Sequence, residues 1–153
     1  MAELSGLTSN IARAQWVKKV LEIARRLSTS RNVALYDVQR GAIDWVSYTW
    51  PKSRAMSVRT PEVFPQEADG RRSATLQITA ACRISLGQIE GFDDTVLDSL
   101  EEDCIKVAQA LLQAQKASSL DSLVLDVDHV GSVEFADWER KVQGFFVTFS
   151  VDY

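Results

Sequence analysis

From Ala74 to Leu86 apolar residues recur at every second position. Ala74, Leu76, Ile78, Ala80, Cys82, Ile84 and Leu86 alternate with Ser73, Thr75, Gln77, Thr79, Ala81, Arg83 and Ser85. Successive side chains on a strand point to opposite faces, so this spacing sets one face on a core and leaves the other polar. A chain holding such a strand must also supply an apolar cover for it. Two segments do so. Over 94–116, Val96, Leu97, Leu100, Cys104, Val107, Ala108, Leu111 and Leu112 trace a helical stripe. Over 9–27, Val17, Val20, Leu21, Ala24 and Leu27 trace another, widened by Ile11, Trp16 and Ile23. Thr8, Ser9 or Asn10 is expected to cap the first helix, and Asp93 or Asp94 the second. Acidic residues crowd the start of the second helix and Arg25 and Arg26 close the first, as the helix dipole favours.

The chain closes on two further alternating runs. Leu123, Leu125 and Val127 lead to Val133 and Phe135, and after Gly144 come Phe145, Val147, Phe149, Val151 and Tyr153. With polar Glu139, Arg140 and Lys141 between them, these predict a hairpin. Earlier, Val33, Leu35 and Ile43 suggest short extended pieces, and the aromatic, β-branched run 44–50 suggests a strand. All three prolines (Pro51, Pro61 and Pro65) fall in 51–72, which reads as a basic extended loop or arm. The expected architecture is a single α+β domain over 1–153: a mostly antiparallel β-sheet, two helices packed on one face, and that long loop.

Composition removes several function classes. With 153 residues, 46% hydrophobic and 25% charged, the chain has the make-up of one globular domain rather than a disordered one. No run approaches the roughly 18 apolar residues of a membrane span, and no signal peptide is visible, so no membrane partner is expected. One His rules out any site needing two. Cys82 and Cys104 fall on apolar stripes, where thiols are ordinarily inert core residues. The seven glycines form no phosphate loop, and no Gly-x-Ser-x-Gly elbow is present. Asp126, Asp128 and His129, with Glu134 or Asp137, have the donor types for a divalent cation, but the same residues read as the polar face of a strand or turn. No catalytic residue, metal or cofactor is expected.

Charge and aromatic residues are unevenly spread. Residues 1–72 carry twelve Lys and Arg against seven Asp and Glu; residues 73–153 carry five against fourteen. Opposite charge on two surfaces favours head-to-tail contact between copies. Trp45, Tyr48 and Trp50, beside Lys52, Arg54, Arg59, Arg71 and Arg72, suit a protein interface, where Trp, Tyr and Arg are enriched. They also suit nucleic-acid stacking, or a plain core with solvated cations. Asp98, Glu101 and Glu102 are the acidic counterpart on the second helix, as partner surface or simple helix-start charge.

Taken together, the N-terminal helix, the central extended region, the strand 74–86, the helix 94–116 and the closing run Val142-Gln143-Gly144-Phe145-Phe146-Val147-Thr148-Phe149-Ser150-Val151-Asp152-Tyr153 resemble the tail terminator, or tail-completion, proteins of long-tailed bacteriophages. The resemblance implies a structural virion protein, not an enzyme, assembled in the host cytoplasm as a homo-oligomer, a hexameric ring. It implies that the ring caps the head-proximal end of the tail tube, stops its polymerisation and offers a surface to the head connector. Its partners would be the tube protein and the connector or neck protein, with DNA passing only transiently through the lumen. A head-completion or head–tail joining role is the alternative, and a metal-dependent enzyme centred on His129 a more distant one.

Overall fold

A computed structural model describes residues 2–29, 36–84, 94–117 and 124–153. In chain order these form α1 (Ala2–Thr29), β1 (Tyr36–Arg40), β2 (Arg54–Val63), β3 (Ser73–Arg83), α2 (Asp94–Ala117), β4 (Asp126–Asp137) and β5 (Val142–Asp152). The five strands make one open sheet in the order β1-β2-β3-β5-β4. β1 and β2 run parallel, and every other neighbouring pair is antiparallel. The architecture is therefore α+β, as expected.

Both helices cover the same sheet face. Leu76, Ile78 and Ala80 of β3 and Val147, Phe149 and Val151 of β5 meet Trp16, Val17 and Val20 of α1 and Leu97, Leu100, Val107 and Leu111 of α2. Each such aliphatic side chain contributes roughly 1.5–3 kcal/mol by leaving water. Cys82 and Cys104 form no disulfide and are buried in this layer, and burial raises the Cys104 thiol pKa further from reactivity. Tyr153 also turns inward, its ring tilted 5.6 Å from that of Trp16. Because β2 and β3 are neighbours, and basic α1 lies beside acidic α2, the oppositely charged halves of the chain interleave side by side.

The segment 51–72, expected as one extended loop, contains β2 and ends in an exposed hairpin loop over 64–72. The strand escapes detection for a physical reason. Ala55, Met56, Ser57 and Val58 are all buried, so the strand is covered on both faces and shows no simple alternation. Its register then shifts between Arg59 and Glu62, where Pro61 is tolerated. The run 44–50 is the opposite case: expected as a strand, it is a turn and irregular backbone. The first helix starts earlier than expected, at Ala2, so Thr8, Ser9 and Asn10 lie within it. Val33, Leu35, Ser85, Leu86, Asp93 and Leu123 lie outside the described residues.

A polar knot ties β1 and β2 to α2 within the helix-side core. The Tyr36 hydroxyl donates to Asp103 Oδ2 at 2.6 Å. Arg54 Nη1 donates to Ser99 Oγ at 3.0 Å and lies 3.6 Å from the same carboxylate oxygen. Asp103 is buried, and a buried charge persists only when it is paired in this way. Around the β1 backbone, Tyr36 N donates to Ser28 Oγ, Arg25 Nη2 donates to Val38 O, and Lys52 Nζ donates to Tyr36 O. Side chains thus occupy three backbone groups of the five-residue strand β1. Among the described residues no side chain caps the backbone of β4 in this manner, but its register slips between His129 and Gly131.

Two substitutions test this account by chemical denaturation. Tyr36→Phe leaves Asp103 short of a donor and is expected to cost about 1–3 kcal/mol; an unchanged unfolding midpoint would count against the knot. At Gly144 an added Cβ would sit 2.1 Å from the Ala80 carbonyl oxygen, so the backbone of β5 must move. Gly144→Ala is expected to cost about 1–3 kcal/mol or more, and a stable variant would show that the close approach of β3 and β5 is not needed.

Candidate functional site

A connection between parallel strands must cross one face of the sheet. The helices fill one face, and residues 41–53 pass over the other. Asp44 starts the passage: its side chain accepts from Val46 N at 3.1 Å and Ser47 Oγ at 3.2 Å, and its carbonyl accepts from Tyr48 N at 3.0 Å. The passage carries the three aromatic residues singled out from the sequence. Trp45 stacks on Trp50, with centroids 5.5 Å apart, and Tyr48 meets Trp50 edge-on at 4.9 Å. Phe135 of β4 extends the cluster, 6.3 Å from Trp45 and 4.4 Å from Phe146 of β5. Trp50 adopts φ 52°, a conformation that costs a bulky residue strain and that its ring contacts must offset.

The cluster is half-buried and opens into a cleft of about 460 Å³ lined by Trp45, Tyr48, Trp50, Arg83, Glu139 and Arg140. The Arg83 guanidinium sits 5.8 Å from the centre of the Trp50 ring, within cation–π range. Arg140 is matched locally by Asp137 at 2.7 Å, and that pair lowers the Asp137 carboxyl pKa. Among the described residues Arg83 forms no ion pair, and Glu139 lines the same cleft.

The remaining sequence-derived interface residues do not join this cleft as a group. Arg54 is inside the subunit, in the knot with Asp103. Lys52 is spent on the β1 backbone. Arg59 donates to Gln77 Oε1 at 2.8 Å on the same sheet face, beside a smaller cavity beneath the passage. Arg71 pairs with Glu67 at 2.8 Å in the hairpin loop, and Arg72 lies over the Tyr153 ring at 5.3 Å. On α2, Asp98 and Glu102 are exposed, Glu101 is half-buried, and Glu102 lies 3.4 Å from Lys106. Arg83, Phe135 and Phe146 belong to the cleft region but do not stand out in sequence. One signal for Arg83 was present: it is the single charge on the polar side of the 73–86 alternation.

Strand alternation separates the other candidate group. Asp126 and Asp128 lie opposite Asp152 and Ser150, whereas His129 lies opposite the core residue Phe149. His129 Nε2 is 2.9 Å from Ser132 Oγ. The Asp128 pKa is raised, first by the neighbouring Asp126 charge. Among the described residues no three His, Cys, Asp or Glu side chains converge to hold a metal ion. No protein-family model and no curated protein matches this chain.

Two tyrosines provide a pH test of this geometry. Burial first, and the Asp103 carboxylate next, raise the Tyr36 pKa; burial and the hydrogen bond to Asp37 at 2.5 Å raise that of Tyr48. The folded state therefore holds both protons more tightly than the unfolded chain does. Their contribution to stability is intact below the unfolded tyrosine pKa of about 10 and is lost as pH climbs above it. Phenolate absorbance should show both residues protonated where the unfolded chain ionises. Asp37→Asn should bring Tyr48 back toward its ordinary range and leave Tyr36 unmoved; equal shifts at both would refute the assignment.

Proposed function

We propose that this chain is a non-catalytic ring subunit of a long-tailed bacteriophage that caps the head-proximal end of the tail tube, ends its growth and presents a docking surface to the head connector. The observation that carries the reading is the order of elements, α-β-β-β-α-β-β, folded as one open sheet with both helices on one face. The resemblance implies an α+β subunit, and the closing run that forms part of it is the inner strand β5, between β3 and β4. The surface supports the same reading. A half-buried aromatic cleft edged by Arg83 and an exposed hairpin loop suit a part that works by contact with other subunits.

The direct test is to add the purified chain to polymerising tail tubes and to image them by electron microscopy. A cap at one end only, with tubes that stop lengthening, is the expected result. Uptake by filled heads in place of tails would move the chain to a head-completion role. Binding to neither particle would refute both.

A further inference from the structure

We infer that the cavity beneath the passage of residues 42–45 is a binding site for a small organic carboxylate with a flat apolar body, its charge taken by Arg59. The inference is independent of the ring reading above, because it is argued from the walls of this cavity alone.

The sheet pairing lays four polar side chains together on the passage face. Ser57 lies opposite Thr79, and two residues further on Arg59 lies opposite Gln77. Side chains two apart on a strand share a face, and directly opposed residues are neighbours, so the four make a two-by-two patch. The passage runs over this patch, pinned at its start where Gly41 N donates to Val58 O at 2.8 Å. Between patch and passage lies a cavity of about 180 Å³, closed above by Ala42, Ile43 and Trp45 and bounded by Phe146 of β5. A water molecule takes up roughly 30 Å³ of liquid, so the space suits a small molecule rather than one water.

The floor of the cavity lacks hydrogen-bond partners. Ser57 and Thr79 are 4% and 5% exposed, and neither side chain is hydrogen-bonded among the described residues. Gln39, which faces Ser57 from β1, donates instead to Asp37 Oδ2 at 2.9 Å. A buried hydroxyl is costly without a partner, and these two line the cavity, where a ligand acceptor would satisfy both.

The exposed side supplies the charge. Among the described residues, Arg59 is the one charged group lining the cavity, and it forms no ion pair with any of them. Its Nε donates to Gln77 Oε1 at 2.8 Å, which orients the guanidinium and leaves both Nη groups to a ligand. That fork matches the two oxygens of a planar carboxylate. One cation balances one negative charge, so a carboxylate fits better than a phosphate dianion. Ile43, Trp45 and Phe146 give the apolar part of the wall, and the ring faces of Trp45 and Phe146 favour a flat group beside them.

The test is a titration of the isotope-labelled chain with benzoate, followed by nuclear magnetic resonance. Benzamide serves as the neutral isostere, acetate as the charge without the ring, and inorganic phosphate as the competing anion. Benzoate is expected to saturate in the millimolar range or below, moving the Trp45 indole N–H and the amides of Ser57, Gln77 and Thr79; Trp45→Phe identifies the indole signal by its loss. Each of the other three compounds is expected to bind about tenfold more weakly or worse. Arg59→Gln should weaken benzoate by about tenfold and leave benzamide unchanged, while Thr79→Val, which removes a hydroxyl and keeps the shape, should weaken benzoate severalfold. Circular dichroism verifies the fold of each variant, and the comparison of compounds on the unaltered chain decides the matter should a variant fail to fold. A benzoate shift that does not saturate, or one confined to residues away from the cavity, would overturn the inference. So would benzamide or phosphate binding as tightly as benzoate, or a folded Arg59→Gln variant that binds benzoate like the wild type. Either result leaves the tail-tube test above untouched.

Discussion

The parallel pairing of β1 with β2 governs much of this molecule. Parallel neighbours cannot be joined by a tight turn, so the chain must travel back across the sheet before it can form the second strand. With α1 and α2 packed on one face, the return path of residues 41–53 has the other face to itself. Everything distinctive about that face follows. Ala55, Ser57, Thr79 and Ala81 are small because a backbone lies above them. Trp45, Tyr48 and Trp50 fill the outer end of the path, where Phe135 and Phe146 support them.

The pairing also needs an anchor, because β1 is only five residues long. Tyr36 supplies it through a single hydroxyl aimed at Asp103, a carboxylate that already draws Arg54 from the neighbouring strand. One buried anion on α2 therefore holds the first residues of β1 and of β2 in register, Tyr36 opposite Arg54. Removing either partner would leave the buried Asp103 charge with only half of its compensation, and truncating a buried pair costs more than never having placed it there.

How much of this was legible in the sequence depends on how many faces each element buries. β3 and β5 alternate visibly because one face meets the helices, and α1 and α2 show stripes for the same reason. β2 buries residues on both faces and bends at a bulge, so its period is erased and its prolines and arginines suggest a loop instead. The stretch 44–50 misleads in the other direction. Its aromatic and β-branched residues have strand propensity, yet Asp44 turns the chain and Trp50 takes a left-handed conformation. The aromatic half of the candidate site was readable, since Trp45, Tyr48 and Trp50 lie within six residues. The cationic half was not. Arg54 points through the sheet to the helix side, and Arg83 reaches the cleft from a strand whose partners are set only by the tertiary fold.

The two margins of the sheet are unequal, and this limits how the protein can go wrong. Ser28, Arg25 and Lys52 already occupy part of the hydrogen-bonding capacity of β1, whereas among the described residues no side chain caps β4, whose register slips. Endless fibrils by edge addition require two receptive margins on every molecule. A subunit with one partly capped margin has a single fully open border. Pairing through that border alone ends at two copies, so strand-edge addition is a poor route to runaway cross-β growth and leaves assembly to other surfaces.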